Sequence, residues 1–371
     1  MALTGAAGDR PEFRTFDPSS CARCGHARIG EASHPGPAKR GFVERAALRE
    51  GVELREVALV SRRTETLEER LWEGFVEWLL EDCDKAQAEE LLISASMVAP
   101  LLELYGENLF KIGASLSSFR HLIAFAQKKH HDFRLYGRGC WTIVSRWESV
   151  EPLVHRPPLP EAVCAAAAAV AFSWGWVRFG VLLLVAFKGI LRIGEILKAV
   201  RQDLVLPSDL LTEGTERFYV RVSQPKAGKR GGGKQQHVTI HDSVLASVCE
   251  NVFRHARMDE KLYPFSGQTF RRRWNEIMAA LGIPKELSLT PASVRGGGAV
   301  AAYRSGTAVQ DILWRMRIQH LHTLQHYLQE LAAENVISAL KSKARFSVKA
   351  GALLLPHYLE SLRCRGPVYG P

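Results

Sequence analysis

Cysteine is scarce in this chain and falls into no pairing pattern. The 371 residues include seven, at positions 21, 24, 83, 140, 164, 249 and 364. An odd, scattered set with no signal-peptide pattern ahead of it argues against a disulfide framework and for a reduced, intracellular setting. Metal-ligand spacing is equally thin. Cys21, Cys24 and His26 form CARCGH, with His34 nearby, but no second ligand pair follows, and a structural zinc needs four ligands. Long apolar runs are missing too. Arg178 divides the most hydrophobic stretch, residues 162 to 187, into uncharged runs of 16 and 9 residues, each shorter than a membrane span of about 20. These read as buried core helices, and no membrane partner is expected. The triple glycine at 296–298 lacks the preceding strand and following lysine of a phosphate loop, so close helix packing accounts for it better than nucleotide binding. No internal repeat is visible, and no metal or cofactor is expected.

What the chain has is apolar content and positive charge. Hydrophobic residues make up 46% of it and the formal net charge is +10, enough for two or three cored domains and for affinity toward an acidic partner such as a phosphate backbone. Residues 1–65 mix Gly, Pro, Ser and charge without periodicity and read as a loosely structured segment. Thr66 and Glu69 form a capping box ahead of a helical stripe of Leu71, Trp72, Phe75, Val76, Leu79 and Leu80. A second stripe holds Leu116, Phe119, Leu122, Ile123 and Ala126. Residues 66–152 thus read as a helical module, 153–160 as a proline-rich linker, 161–345 as a second domain and 346–371 as a tail. The second domain opens with an Ala-rich helix and contains two strands, Arg217–Ser223 and Gln236–Asp242, joined by a glycine-rich connection.

Several polar residues stand out against this frame. Arg192 and Glu195 in GILRIGE are three apart, on one face if the segment is helical, where the carboxylate can orient the guanidinium; a surface ion pair is the plainer alternative. The strand connection carries Lys226, Lys229, Arg230 and Lys234 with no acidic residue, which suits a DNA groove or simply solvent. Thr290 and Pro291 form a helix start, placing Arg295 in the second turn near a terminus that favours phosphate. Arg271 and Arg272, beside Arg273 and Trp274, either contact DNA or face water. Tyr327 follows Arg295 by 32 positions, in HYLQE.

In this order, Arg192, the basic strand connection, Arg295 and Tyr327 resemble the tyrosine recombinases, the phage integrase family, over roughly residues 66 to 330. The resemblance implies a mainly α fold with a small β-sheet: a helical SAM-like core-binding domain followed by an α+β catalytic domain. It implies duplex DNA as partner, homo-oligomers on that DNA, a nuclear location in a eukaryote, and chemistry with no metal or cofactor. Tyr327 is then the nucleophile, forming a 3'-phosphotyrosyl intermediate. Arg192 and Arg295 hold the phosphate, and a lysine of the connection, Lys226 in preference to Lys229, protonates the leaving 5' oxygen.

Two positions depart from the family pattern. Ala292 stands where the family has His or Lys, and Ile318 where it has His or Trp. A general acid or base contributes ~10²- to 10⁴-fold and one donor to developing charge about 10²- to 10³-fold. A descendant that only binds DNA is therefore the second reading. His320, His322 and His326 are the side chains at hand to substitute.

Overall fold

A computed structural model describes residues 50–51, 60–152, 156–210, 217–223, 236–318 and 320–364. The zinc half-site and most of the N-terminal segment lie outside the described residues, as does the whole 224–235 connection with Lys226, Lys229, Arg230 and Lys234.

The first helices are α1 (Arg62–Leu79), α2 (Lys85–Leu91), α3 (Ala95–Lys111), α4 (Leu116–Lys129), α5 (Phe133–Tyr136) and α6 (Arg138–Val150). Short polar side chains start three of them. Ser61 accepts from the Thr64 N–H and Ser115 from the Ser118 N–H, while Asp84 and Gln87 each accept from the other's backbone. The expected start at Thr66 is thus corrected: Ser61 supplies the cap, and Thr66 lies inside α1, its hydroxyl donating to the Arg62 carbonyl. Trp72, Phe75 and Leu79 of α1 share one core with Phe119, Leu122, Ile123 and Ala126 of α4. Leu80 does not join them; α1 ends before it and leaves it 43% exposed. Glu68 is buried beside this core, ion-paired with Lys128 and 3.4 Å from His121 Nδ1, the pairing a buried charge requires.

The second group comprises α7 (Glu161–Ser173), α8 (Val177–Lys188), α9 (Ile193–Ile196), β1 (Leu204–Val205), β2 (Arg217–Val222), β3 (Gln236–His241), α10 (Ser243–Phe253) and α11 (Gly267–Ala280). It continues through α12 (Ser293–Arg304), α13 (Val309–Met316), α14 (Leu321–Gln325), α15 (Glu330–Ala339) and α16 (Ser342–Cys364). Helices α7 and α8 form the centre of its core, so their apolarity serves burial. No helix among the described residues is long and apolar enough to cross a membrane. The sheet is antiparallel in the order β1-β2-β3, with Phe218 opposite Ile240 and Val220 opposite Val238. Those four side chains are buried, which is why the alternation announced β2 and β3. The two-residue β1 is too short to leave such a signature.

Residues 346–364, read from the sequence as tail, continue α16, whose Val348 and Leu362 enter the second core. Small residues let α16 meet α7: a Cβ added at Gly351 would stand 2.9 Å from the Ala166 Cβ. The same logic, more severe, governs the triple glycine in α12. A Cβ on Gly297 would lie 2.1 Å from the Leu159 carbonyl oxygen, and one on Gly298 2.1 Å from that of Phe187. Gly298 brings α12 against the α8 backbone and Gly297 against the chain just before α7, as the packing reading expected. Gly298→Ala is accordingly expected to destabilise the fold by about 1–3 kcal/mol through overpacking, seen as a lower urea midpoint; an unchanged midpoint would contradict the close approach.

Candidate active site

The end of α8 sets the first site residue. After Lys188 the chain turns through Ile190 at φ 51, a left-handed conformation that crowds a β-branched side chain. Ile190 is fully buried against Ala299, Ile312, Met316 and Leu324, and that packing holds the turn in place. Arg192 consequently sits with extended backbone at the cap of α9 rather than on a helix face. Glu195 reaches back from the first turn, accepting from the Arg192 N–H at 2.9 Å and from Arg192 Nη1 at 3.0 Å. The carboxylate is only 6% exposed, so this is no surface ion pair.

Helix α12 begins at Ser293, later than Thr290 and Pro291 led us to expect. A turn intervenes, in which the Thr290 N–H donates to the Ser293 hydroxyl at 3.2 Å and the Ser293 N–H to the Thr290 carbonyl at 2.8 Å. The Thr290 hydroxyl has no hydrogen-bond partner among the described residues. Arg295 therefore occupies the first turn, buried to 4% exposure, donating to the Met316 carbonyl. Its Nη1 lies 4.0 Å from Glu195 Oε2, and among the described residues neither Nε nor Nη1 has a hydrogen-bond partner.

Tyr327 follows α14 in the turn toward α15, its N–H donating to the Leu324 carbonyl at 2.8 Å. The Arg295 Cζ is 5.8 Å from the centre of its ring. Arg192, Arg295 and Tyr327 line one cavity of about 750 Å³, together with Ala292, Thr323, His326 and the Arg156–Pro157–Pro158 segment. Ile318 is not among the residues lining this cavity; like Tyr327, it packs against the small core around Ile312 and Met316. Among the histidines near Tyr327, His326 lines the cavity, its ring edge-on to His322 at 4.9 Å. Arg271 and Arg272 are exposed on α11 away from the cavity lining, Arg272 3.8 Å from Glu276. Their neighbour Arg273 stacks over Phe265 at 4.3 Å and Trp176 at 4.9 Å.

Sequence reasoning missed Arg317, which ends α13 and pairs with Glu195 from a buried position. One carboxylate thus faces three guanidinium groups. Burial alone pushes the Glu195 carboxyl up, but Arg317, the Arg192 N–H, Arg295 and the Arg192 guanidinium together hold it below its ordinary value. Burial, with Arg192 and Arg317 alongside, pushes Arg295 down to about 9 against the pull of Glu195 and Tyr327. That depression marks a buried cation short of negative charge, which a bound anion would supply. Glu195→Gln is expected to cost about 3–5 kcal/mol at pH 7, because it strips buried cations of their partner. A depressed carboxylate stabilises above its ordinary pKa of 4.5 and loses that contribution as pH falls through the folded value. Urea unfolding should therefore show the gap between wild type and variant narrowing below pH 4.5.

No family model and no curated protein matches the sequence. Among solved structures, the Tn1549 transposon integrase in complex with transposon right end DNA aligns with a TM-score of 0.51 at 11% identity, over 80% of this chain and 98% of that one. The fold is that of a tyrosine recombinase. The same integrase in complex with circular intermediate DNA aligns at TM-score 0.47 and 13% identity, covering 78% of this chain and 97% of that one. The XerH site-specific recombinase bound to its palindromic difH substrate follows at 0.46 and 13%, covering 75% and 79%. Within this fold Ala292 lies on the cavity wall and Ile318 packs against the small core.

Proposed function

We propose that this chain binds duplex DNA and acts in DNA integration or recombination by breaking and rejoining strands. The observation that carries the reading is the convergence on one cavity of Arg192, Tyr327 and buried Arg295, whose Nε and Nη1 have no hydrogen-bond partner among the described residues. A buried guanidinium with open donors is costly unless an anion completes it, and a backbone phosphate has the charge and the oxygens to do so. In the proposed step the Tyr327 oxygen attacks phosphorus and releases its proton to solvent as the bond from phosphorus to the 5' oxygen breaks. The 3' phosphate stays on the tyrosine. Arg192 and Arg295 hold the non-bridging oxygens, and Lys226 gives the proton that makes the leaving group a 5' hydroxyl. Strand exchange then calls for further copies of the chain on the same DNA.

The substitutions at Ala292 and Ile318 favour a second reading, a DNA-binding protein whose chemistry has lapsed. A nicked duplex that traps the covalent intermediate separates the two. An adduct that survives denaturation and disappears with Tyr327→Phe supports cleavage. Salt-sensitive duplex binding without adduct supports the binder, and no duplex binding at low salt would sink both.

A further inference from the structure

Arg317 ends α13 with φ 54 and ψ 44, a left-handed conformation at the helix terminus. Glycine holds such a place without crowding its own Cβ, yet the chain keeps an arginine there, its side chain 5% exposed. Backbone strain of this kind persists when the surroundings over-determine it. The surroundings here are polar: Arg317 Nη2 donates to Glu195 Oε2, and Nη1 to the Arg315 carbonyl at 3.0 Å.

That Oε2 is contested. It also accepts from the Arg192 N–H at 2.9 Å, and Arg295 Nη1 stands 4.0 Å away, outside hydrogen-bond reach. Two buried guanidinium groups thus approach one oxygen, and Arg317 has taken it. We infer that Arg317 is a positioning residue, engaging Glu195 so that Arg295 keeps open N–H groups for a phosphate. The inference rests on the phosphate-binding reading of the cavity. Without Arg317, the 4.0 Å approach of Glu195 and Arg295 closes into a hydrogen-bonded pair, and Arg295 has fewer unpaired N–H groups for a phosphate entering the cavity it lines, although Arg295 itself is untouched. Arg317 does not line the cavity; it acts through Glu195.

Calorimetric titration of the full chain with inorganic phosphate at low ionic strength tests this. Arg317→Met is expected to weaken binding about tenfold, within the coupling range of neighbouring charged groups. Arg317→Lys, which keeps the charge, should restore most of the affinity. Arg317→Gly relaxes the backbone but should bind as weakly as Arg317→Met, separating charge from conformation. In a Glu195→Gln background the Arg317→Met change should cost less than about twofold, because the charge to be engaged is gone. Wild-type affinity in Arg317→Met, or an equal loss in both backgrounds, overturns the role of Arg317 while the phosphate reading stands. A wild-type chain that takes up no phosphate overturns both.

Discussion

Arg295→Gln is expected to leave the chain as stable as wild type or more so, while lowering phosphate affinity and the rate of adduct formation by about 10²- to 10³-fold. The two effects have opposite signs for one reason. Among the described residues Arg295 is buried, has no hydrogen-bond partner at Nε or Nη1, and shares the Glu195 carboxylate with Arg192 and Arg317. Removing it relieves an undercompensated charge and sacrifices one hydrogen bond, to the Met316 carbonyl. Glu195 keeps both other partners. A residue retained for stability would behave in the reverse way, since breaking a buried pair costs about 3–5 kcal/mol. Thermal unfolding without ligand, phosphate titration and single-turnover adduct formation together decide the matter. A large loss of stability would mark Arg295 as a structural ion-pair member rather than a phosphate ligand.

Ala292→His is expected to raise the rate of strand cleavage by about 10²-fold or more, the contribution of a positioned proton-transfer group. Ala292 is exposed and lines the cavity that also holds Arg295 and Tyr327, so an imidazole has room there and displaces no core packing. Ile318 offers no equivalent. Its side chain packs against the core of Ile312, Met316 and Leu324, and a histidine there would exchange buried hydrocarbon for a polar ring. The gain should therefore come from position 292 alone, with Ile318→His losing stability. Single-turnover reactions on a nicked duplex measure the first effect and urea unfolding the second. A rate unchanged by Ala292→His would mean that position 292 does not address the reacting phosphate, and the correspondence between the cavity and the family's catalytic centre would fail.

Much of the architecture was legible before any coordinates because it depends on local periodicity. Trp72, Phe75 and Leu79, then Phe119, Leu122 and Ile123, recur at helical intervals and end up in one core. Phe218 and Val220 alternate against Val238 and Ile240 in the sheet. Boundaries were harder. Thr66 and Thr290 both read as caps, but Ser61 caps α1, and the turn from Thr290 to Ser293 leaves Ala292 at the cap position of α12. The helix over 342–364 was read as tail although Ala344, Val348, Leu355, Leu359 and Leu362, at helical spacing, pack in or against the second core.

The primary structure was enough to single out Arg192, Glu195, Arg295 and Tyr327, since residue type and spacing are properties of the chain read in a line. It was also enough to show what Ala292 and Ile318 cannot do, because a missing functional group is missing in every conformation. Folding alone brought in Arg317, which stands 122 positions from Glu195 and meets it only because the strained turn at Ile190 and the end of α13 converge. Which guanidinium takes the carboxylate oxygen and which stays short of it depends on competition at distances of a few ångströms. No spacing along the chain encodes that outcome.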